Sequence, residues 1–249
     1  VVKGMTERYD KIGIGYAAKR MPDSRIFRHI QMALRNSKSV LNVGAGAGSY
    51  EPTNIPAVAV EPSFEMIRQR RNRSNVVQGV AEALPFRDAC FDTSLALLTI
   101  HHWTDLSQGL QECARSSKRA VTILTWDPSS LGFWLTQDYF PEILEFDRSI
   151  FPSLEELQHC LGEITVTDVP IPADCIDGFL GAYWRRPEAY LQEHIRSGMS
   201  SFSRISTFVH GLEQLQADLE SGAWYRAHGH LLAHESLSIG YKLVTAMLH

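Results

Sequence analysis

The run Val40-Leu41-Asn42-Val43-Gly44-Ala45-Gly46-Ala47-Gly48 restricts the fold more than any other part of the chain. A short, mostly apolar stretch breaks into three glycines at alternate positions, the pattern of a buried strand ending in a loop that approaches a ligand closely. Glycine lacks a Cβ, so such a loop can take positive φ and bring backbone N–H groups against a bound molecule. A carboxylate, Glu61, follows where a second strand, Ala57 to Val60, should end.

Two classes of nucleotide-like cofactor suit this arrangement. The dinucleotide fingerprint G-x-G-x-x-G places its last glycine where helix packs on strand and sets pyrophosphate at the helix N-terminus. Here Gly48 comes one place early, and Ser49 holds the required position. The acidic residue also arrives sooner than the roughly 20 residues expected of that pattern. The spacing weakens a nicotinamide reading without abolishing it.

The rest of the first half predicts alternating elements. Pro22 and Asp23 open a helix in which Ile26, Phe27, Ile30, Ala33 and Leu34 share a face. Strands are expected at Ala57 to Val60, Val76 to Val80, Ser94 to Ile100 and Ala120 to Thr125, with Thr104 or Asp105 capping a helix that carries Leu106, Leu110 and Cys113. Crossovers of this length predict an α/β fold with a doubly wound, mostly parallel sheet. Ser153-Leu154-Glu155-Glu156 is a capping box, and Gly162 ends its helix. A strand at Ile164 to Val169 follows. Residues 174–236 are then expected to be mostly helical, with Ile205, Phe208, Val209, Leu212, Leu215 and Leu219 on one stripe, and Leu237 to Leu248 to form a returning strand.

Four ordered segments together resemble the class I S-adenosylmethionine-dependent methyltransferases: Val40 to Gly48, Val58 to Ser63, Gly79-Val80-Ala81-Glu82-Ala83-Leu84-Pro85-Phe86, and Phe91-Asp92-Thr93 running on to His101-His102-Trp103. The A-E-x-L-P-F segment is similar to the methyltransferase type 11 branch, related to ubiquinone and menaquinone methylases. The resemblance covers about a third of the chain. It implies a seven-stranded Rossmann-like sheet with the last strand antiparallel beside the fifth, a helical lid, and S-adenosyl-L-methionine as cofactor. It further implies a single domain over 1–249, with a cofactor-binding core of about 22–126, 153–170 and 237–249 and aromatic or helical additions at about 127–152 and 174–236.

The same resemblance suggests roles for individual residues. Backbone groups of Gly44, Ala45, Gly46 and Gly48 would cradle the methionine part, and Glu61 would accept hydrogen bonds from the ribose hydroxyls. The alternative for Glu61 is a surface carboxylate at the start of the next helix. Pro62 and Met66 would line the adenine face, or Met66 would simply pack helix on sheet. Ala81 and Glu82 would meet the adenine edge, although relatives carry their acid one or two places earlier, where this chain has Val80. Leu98 would border the transferred methyl. Tyr9, Tyr16 and Arg20 belong to a leader segment that would hold the methionine carboxylate, or would serve only in amphipathic packing. His101 and His102 are candidate general bases, against a structural role in the turn beside Trp103.

The acceptor is less legible. Trp126, Phe133, Trp134, Tyr139, Phe140, Tyr183 and Trp184 suit a small, partly apolar molecule, or a core beneath a lid. Arg185 and Arg186 could face an anionic acceptor or solvent. His228, His230 and His234 lack the H-E-x-x-H pattern, so no metal is expected. A formal net charge of −4 over 249 residues opposes a nucleic-acid footprint. The four cysteines show no C-x-x-C pairing, no run approaches a membrane span, and no secretory leader pattern is read, so a cytoplasmic setting is expected. The leading function is therefore methyl transfer to a small-molecule acceptor by in-line displacement. Macromolecular methylation, a nucleotide-cofactor oxidoreductase and a non-catalytic binding module stay open, as do the methylated atom and the oligomeric state.

Overall fold

The computed structural model describes residues 20–73, 75–205 and 208–248. The strands are β1 (Val40–Val43), β2 (Ala57–Glu61), β3 (Val76–Gln78), β4 (Phe91–Leu97), β5 (Ser117–Trp126), β6 (Ile164–Asp168), β7 (Ile171–Pro172), β8 (Ser236–Leu237) and β9 (Tyr241–Met247). Seven of them form one sheet in the order β3-β2-β1-β4-β5-β9-β6, and β7 pairs with β8 in a small ribbon. Strand β9 runs antiparallel to both neighbours, with Ile123 opposite Val244 on β5 and Val166 opposite Val244 on β6. The other neighbouring pairs are parallel. This is the mostly parallel seven-stranded α/β sheet expected, with its returning strand shorter than Leu237 to Leu248 because Gly240, at φ +99°, turns the chain between β8 and β9.

The helices are α1 (Ser24–Ala33), α2 (Phe64–Arg68), α3 (Leu106–Ser116), α4 (Pro141–Ile150), α5 (Leu154–Leu161), α6 (Glu193–Arg196), α7 (Val209–Glu220) and α8 (Ala223–His228). Asp23 caps α1 by accepting from the Arg25 N–H at 2.9 Å, and Asp105 rather than Thr104 caps α3 by accepting from Gln108. Each supplies an acceptor that the first turn of a helix otherwise lacks. The capping box is formed in full by Ser153 and Glu156 before α5, and Gly162 ends that helix at φ +79°.

Side-chain alternation along the strands divides the core into two layers. On one face, Leu41, Val43, Val121 and Ile123 pack with Leu110, Cys113 and Leu157 from α3 and α5. On the other, Leu95 and Leu124 meet Ile26 and Ile30 of α1 and a large aromatic cluster containing Trp134, Trp184, Tyr190 and Trp224. That second layer is mostly built from residues after β5.

Regular alternation fails in two places. No helix joins β1 to β2: residues 44–56 are turns and bends only. Three glycines, Pro52 and Pro56 within thirteen residues explain this, since glycine costs a helix backbone entropy and proline removes a donor. The expected stripe from Ile205 to Leu219 also breaks, because α7 begins only at Val209, which is exposed, and buries Leu215. The chain between 174 and 236 otherwise combines three short or medium helices with 3-10 turns.

Candidate active site

Strands β1 and β4 are neighbours whose connections leave in opposite directions, which opens a crevice at their carboxyl ends. The expected strand from Ser94 to Ile100 stops at Leu97 because Leu98 takes φ +50°, a conformation L-residues with branched side chains adopt rarely. Its N–H still reaches the Leu124 carbonyl at 2.8 Å, so the break is anchored to β5. Thr99 then rises under the glycine loop. A Cβ on Gly44 would lie 2.0 Å from Thr99 Oγ1, and Gly44 has φ +67°. Glycine is required there by both contact and conformation.

The first cavity occupies this crevice. It is lined by Arg20, Gly44, Ala45, Gly46, Glu61, Pro62, Met66, Ala81, Glu82, Leu98 and His102 among others, so these sequence-predicted residues are brought together. Gly48 lies off the lining, with its backbone against Arg70. Tyr9 and Tyr16 fall outside the described residues.

Glu61 is buried at the end of β2. Its Oε2 accepts the Gly46 N–H at 2.7 Å, and its Oε1 accepts the Ser63 N–H at 2.9 Å. Strand end, loop and start of α2 are thus tied through one carboxylate. Glu82 differs from expectation: its Oε1 accepts from Thr104 N at 2.6 Å, Thr104 Oγ1 at 2.8 Å and Asp105 N at 3.2 Å. The carboxylate fastens the turn after β4, although the residue still borders the cavity. Arg20 is held by Asp177, with Nε 2.6 Å from Oδ1, and Tyr50 donates its hydroxyl to the other Asp177 oxygen at 3.0 Å.

A second cavity adjoins the first, and Arg20, Leu98 and His102 line both. Trp126 and Phe133 line it, joined by Phe151, Phe179, Tyr241 and Met199. Trp134, Tyr139, Phe140 and Trp184 instead pack in the buried aromatic cluster. Arg186 donates to the carbonyls of Cys175 and Ala182 and lies over the Tyr183 ring, so it braces the fold. His228 pairs with Asp138 at 2.8 Å, and no group of three metal-ligating side chains occurs among the described residues.

The His101 ring stacks on Phe151 with centroids 3.9 Å apart and touches His102 at the same separation. Its Nδ1 is covered and has no hydrogen-bond partner. Burial, then the neighbouring His102 and Arg204, hold its pKa well below the ordinary value, so the ring is neutral near neutral pH. Sequence reasoning missed Asp147 and Arg204, which line the same cavity from α4 and from the segment before α7. It also missed Arg70, which supports the loop by donating to the carbonyls of Ala45 and Gly46 at 3.4 and 3.1 Å and to Glu51. No local pattern marks any of the three.

A methyltransferase domain family, of the type 11 group, matches residues 41–124, from β1 to β5. A solved protein of Anabaena variabilis ATCC 29413, provisionally named a methyltransferase from an antibiotic biosynthesis pathway, is 33% identical, superposes with a TM-score of 0.84, and is covered over 99% of its length by 92% of this chain. The chain belongs to the class I S-adenosylmethionine-dependent methyltransferases. The methyltransferase YcgJ of Bacillus subtilis (strain 168), uncharacterized by its own name, is 33% identical over 105 residues, 37% of this chain and 42% of that protein. A chloroplastic 2-methyl-6-phytyl-1,4-hydroquinone methyltransferase of Oryza sativa subsp. japonica is 27% identical over 143 residues, 53% of this chain and 42% of that protein. The aligned part spans less than half the length of these two curated relatives.

The cavity of this methyltransferase fits the cofactor its family implies. A dinucleotide site would set a helix N-terminus behind the glycines to meet pyrophosphate. Residues 44–56 contain no helix, so that element is missing, while the acceptor needed for a sugar is present in Glu61. Asn42 adds a buried Oδ1 without a partner in the same lining. A donor-rich cofactor without phosphate suits these groups better than a dinucleotide does.

No helix among the described residues is long and apolar enough to cross a membrane.

Proposed function

We propose that this protein transfers the methyl group of S-adenosyl-L-methionine to a small-molecule acceptor. The observation that carries the reading is the meeting of two cavities at Arg20, Leu98 and His102, one built on the glycine loop and Glu61, the other roofed by the additions after β5. Once bound, the cofactor supplies an electrophilic methyl on a positively charged sulfur. The protein's share is chiefly positioning, because holding donor and acceptor in line removes most of the entropic cost of their encounter.

In this reading Glu61 accepts from the ribose hydroxyls, and its tie to Gly46 keeps ribose site and loop in fixed register. Gly44, Ala45 and Gly46 lie against the methionine part, Pro62 and Met66 against the adenine. Asp177 and Tyr50 aim Arg20 at the junction of the cavities, where a guanidinium suits the methionine carboxylate. Leu98 and His102 form the wall between donor and acceptor. The additions wall the second cavity, where an acceptor competes with water for the methyl group.

A concave second cavity and the net charge of −4 favour a small molecule over RNA or protein. The hydroquinone in the rice relative's name is also a small molecule. The free cysteines among the described residues suit a reducing, cytoplasmic setting.

Calorimetry with S-adenosylmethionine, S-adenosylhomocysteine and NADH tests the donor half: both adenosyl compounds should bind and NADH should not. A labelled-methyl assay over a metabolite extract, with mass identification of the product, tests the acceptor half. Label appearing only in RNA or protein would defeat the small-molecule reading.

A further inference from the structure

Asp147 is a titratable group in the second cavity that the positioning role above leaves unused. It stands in α4, and its carbonyl accepts the N–H of Phe151, whose ring stacks on His101. This turn of chain brings the Asp147 side chain to the wall of the cavity that Leu98 and His102 also line. Among the described residues its carboxyl makes no hydrogen bond and no ion pair. Burial pushes it up to about 7, against the pull of the Arg204 guanidinium. A half-buried carboxyl with a raised pKa at the wall of a cleft is characteristic of functional sites.

The rest of the cavity limits what such a carboxyl can serve. Its other charged or titratable groups are Arg20, His101, His102, Arg204 and Tyr241. With Arg20 held by Asp177, the Arg204 guanidinium and the sulfonium of the methyl donor disfavour a cationic acceptor and stabilise a developing oxyanion. The walls combine the aromatic rings of Trp126, Phe133, Phe151, Phe179 and Tyr241 with polar groups, among them Thr136, Ser200 and Ser201. Flat aromatic molecules that carry a polar group match such walls. His101 is a poor proton acceptor here, with Nδ1 covered and the ring stacked on Phe151.

We propose that the second cavity takes a neutral aromatic hydroxyl compound, its O–H directed at Asp147, which accepts the proton as the oxygen is methylated. The inference rests on the methyltransferase reading above. The C–S bond to the transferred methyl breaks with its electron pair left on sulfur, and a phenol oxygen lone pair forms the O–CH3 bond. The phenolic proton passes to the Asp147 carboxylate, and from there to solvent when the aryl methyl ether leaves.

The test uses the full chain with S-adenosylmethionine and 2-naphthol as the probe. The wild type should form 2-methoxynaphthalene, at a rate that rises with pH to a plateau through an apparent pKa near 7. Asp147→Asn should lower kcat by about 100-fold or more, the usual worth of a positioned base, with KM little changed and the pH limb abolished. Asp147→Glu should recover part of the rate. S-adenosylhomocysteine should bind the wild type and Asp147→Asn equally. Failure of the wild type to methylate 2-naphthol while it binds S-adenosylhomocysteine would overturn the inference alone, as would an unchanged pH limb in Asp147→Asn or loss of S-adenosylhomocysteine binding by that variant. Failure of the wild type to bind S-adenosylhomocysteine would overturn both this inference and the reading it rests on.

Discussion

Arg70 Nη2 lies 2.5 Å from Glu51 Oε2, and the same guanidinium carries the glycine loop by donating to the Gly46 carbonyl at 3.1 Å. Glu51 in turn accepts from Asn42 Nδ2 at 3.0 Å at the end of β1. With no helix after β1, the chain steadies this loop with an ion pair from Arg70, just beyond the end of α2. Arg70 is only 3% exposed in its side chain and Glu51 19%.

Removing one partner of such a pair leaves the other poorly solvated, which costs more than the pair is worth. Arg70→Met should therefore lower unfolding stability by about 3 kcal/mol in denaturant titration. Its affinity for S-adenosylhomocysteine should fall as well, since the loop loses its support. The double variant with Glu51→Gln should be less destabilised than the sum of the two single changes. Additive effects would show that the ion pair does not couple them.

Gly44→Ala places a Cβ 2.0 Å from Thr99 Oγ1 on a residue at φ +67°. Overpacking and the left-handed conformation together should cost about 3 kcal/mol. Thr99→Ala added to it should recover part of the loss by removing the clash, leaving the backbone strain. Thermal unfolding of the two variants checks the order.

Glu61→Gln keeps the shape of the side chain and removes its charge. Charge-assisted hydrogen bonds are worth roughly 1.5–3 kcal/mol, so the affinity for S-adenosylhomocysteine should fall by about ten- to a hundredfold. Isothermal titration reads this directly. Part of the loss would come from the weaker grip on the Gly46 N–H, now 2.7 Å from Oε2.

The pH dependence of stability should carry a signature of Asp147. Its carboxyl is raised from 3.8 to about 7 by burial, so between those values the folded protein holds a proton that the unfolded chain releases. Stability contributed by this group is full below about pH 4, declines as pH rises to 7, and stays low above. Asp147→Asn removes the decline. Its thermal midpoint should exceed that of the wild type above pH 7 and converge with it near pH 4.

The strands of the sheet were legible because each carries its own local signal. The Val40 run, the apolar stretches before Glu61 and in β5, and the full capping box at Ser153 are read from neighbours in sequence. The glycine loop, Glu61, Pro62, Met66, Ala81, Leu98 and His102 meet in one cavity because they sit at the carboxyl ends of adjacent strands. Glu82 was legible as a cavity residue but not as the acceptor of Thr104 and Asp105, which depends on where the chain returns after β4. The aromatic additions were legible as apolar mass. Their division into Trp126 and Phe133 on the cavity and Trp134 and Trp184 in the core was not.

The sequence by itself determined the alternating periodicity, the breaks at glycine and proline, and the pairing of a flexible loop with a carboxylate, all properties of residues within a few positions of one another. Tertiary structure alone decided the partners that lie far apart in the chain: Arg70 behind Gly46, Asp177 beneath Arg20, and Asp147 brought with Arg204 to the cavity shared by Leu98 and His102. The physical reason is that desolvation and ion pairing act across space, and a charged residue carries no local mark of whether folding will bury it or what it will meet there.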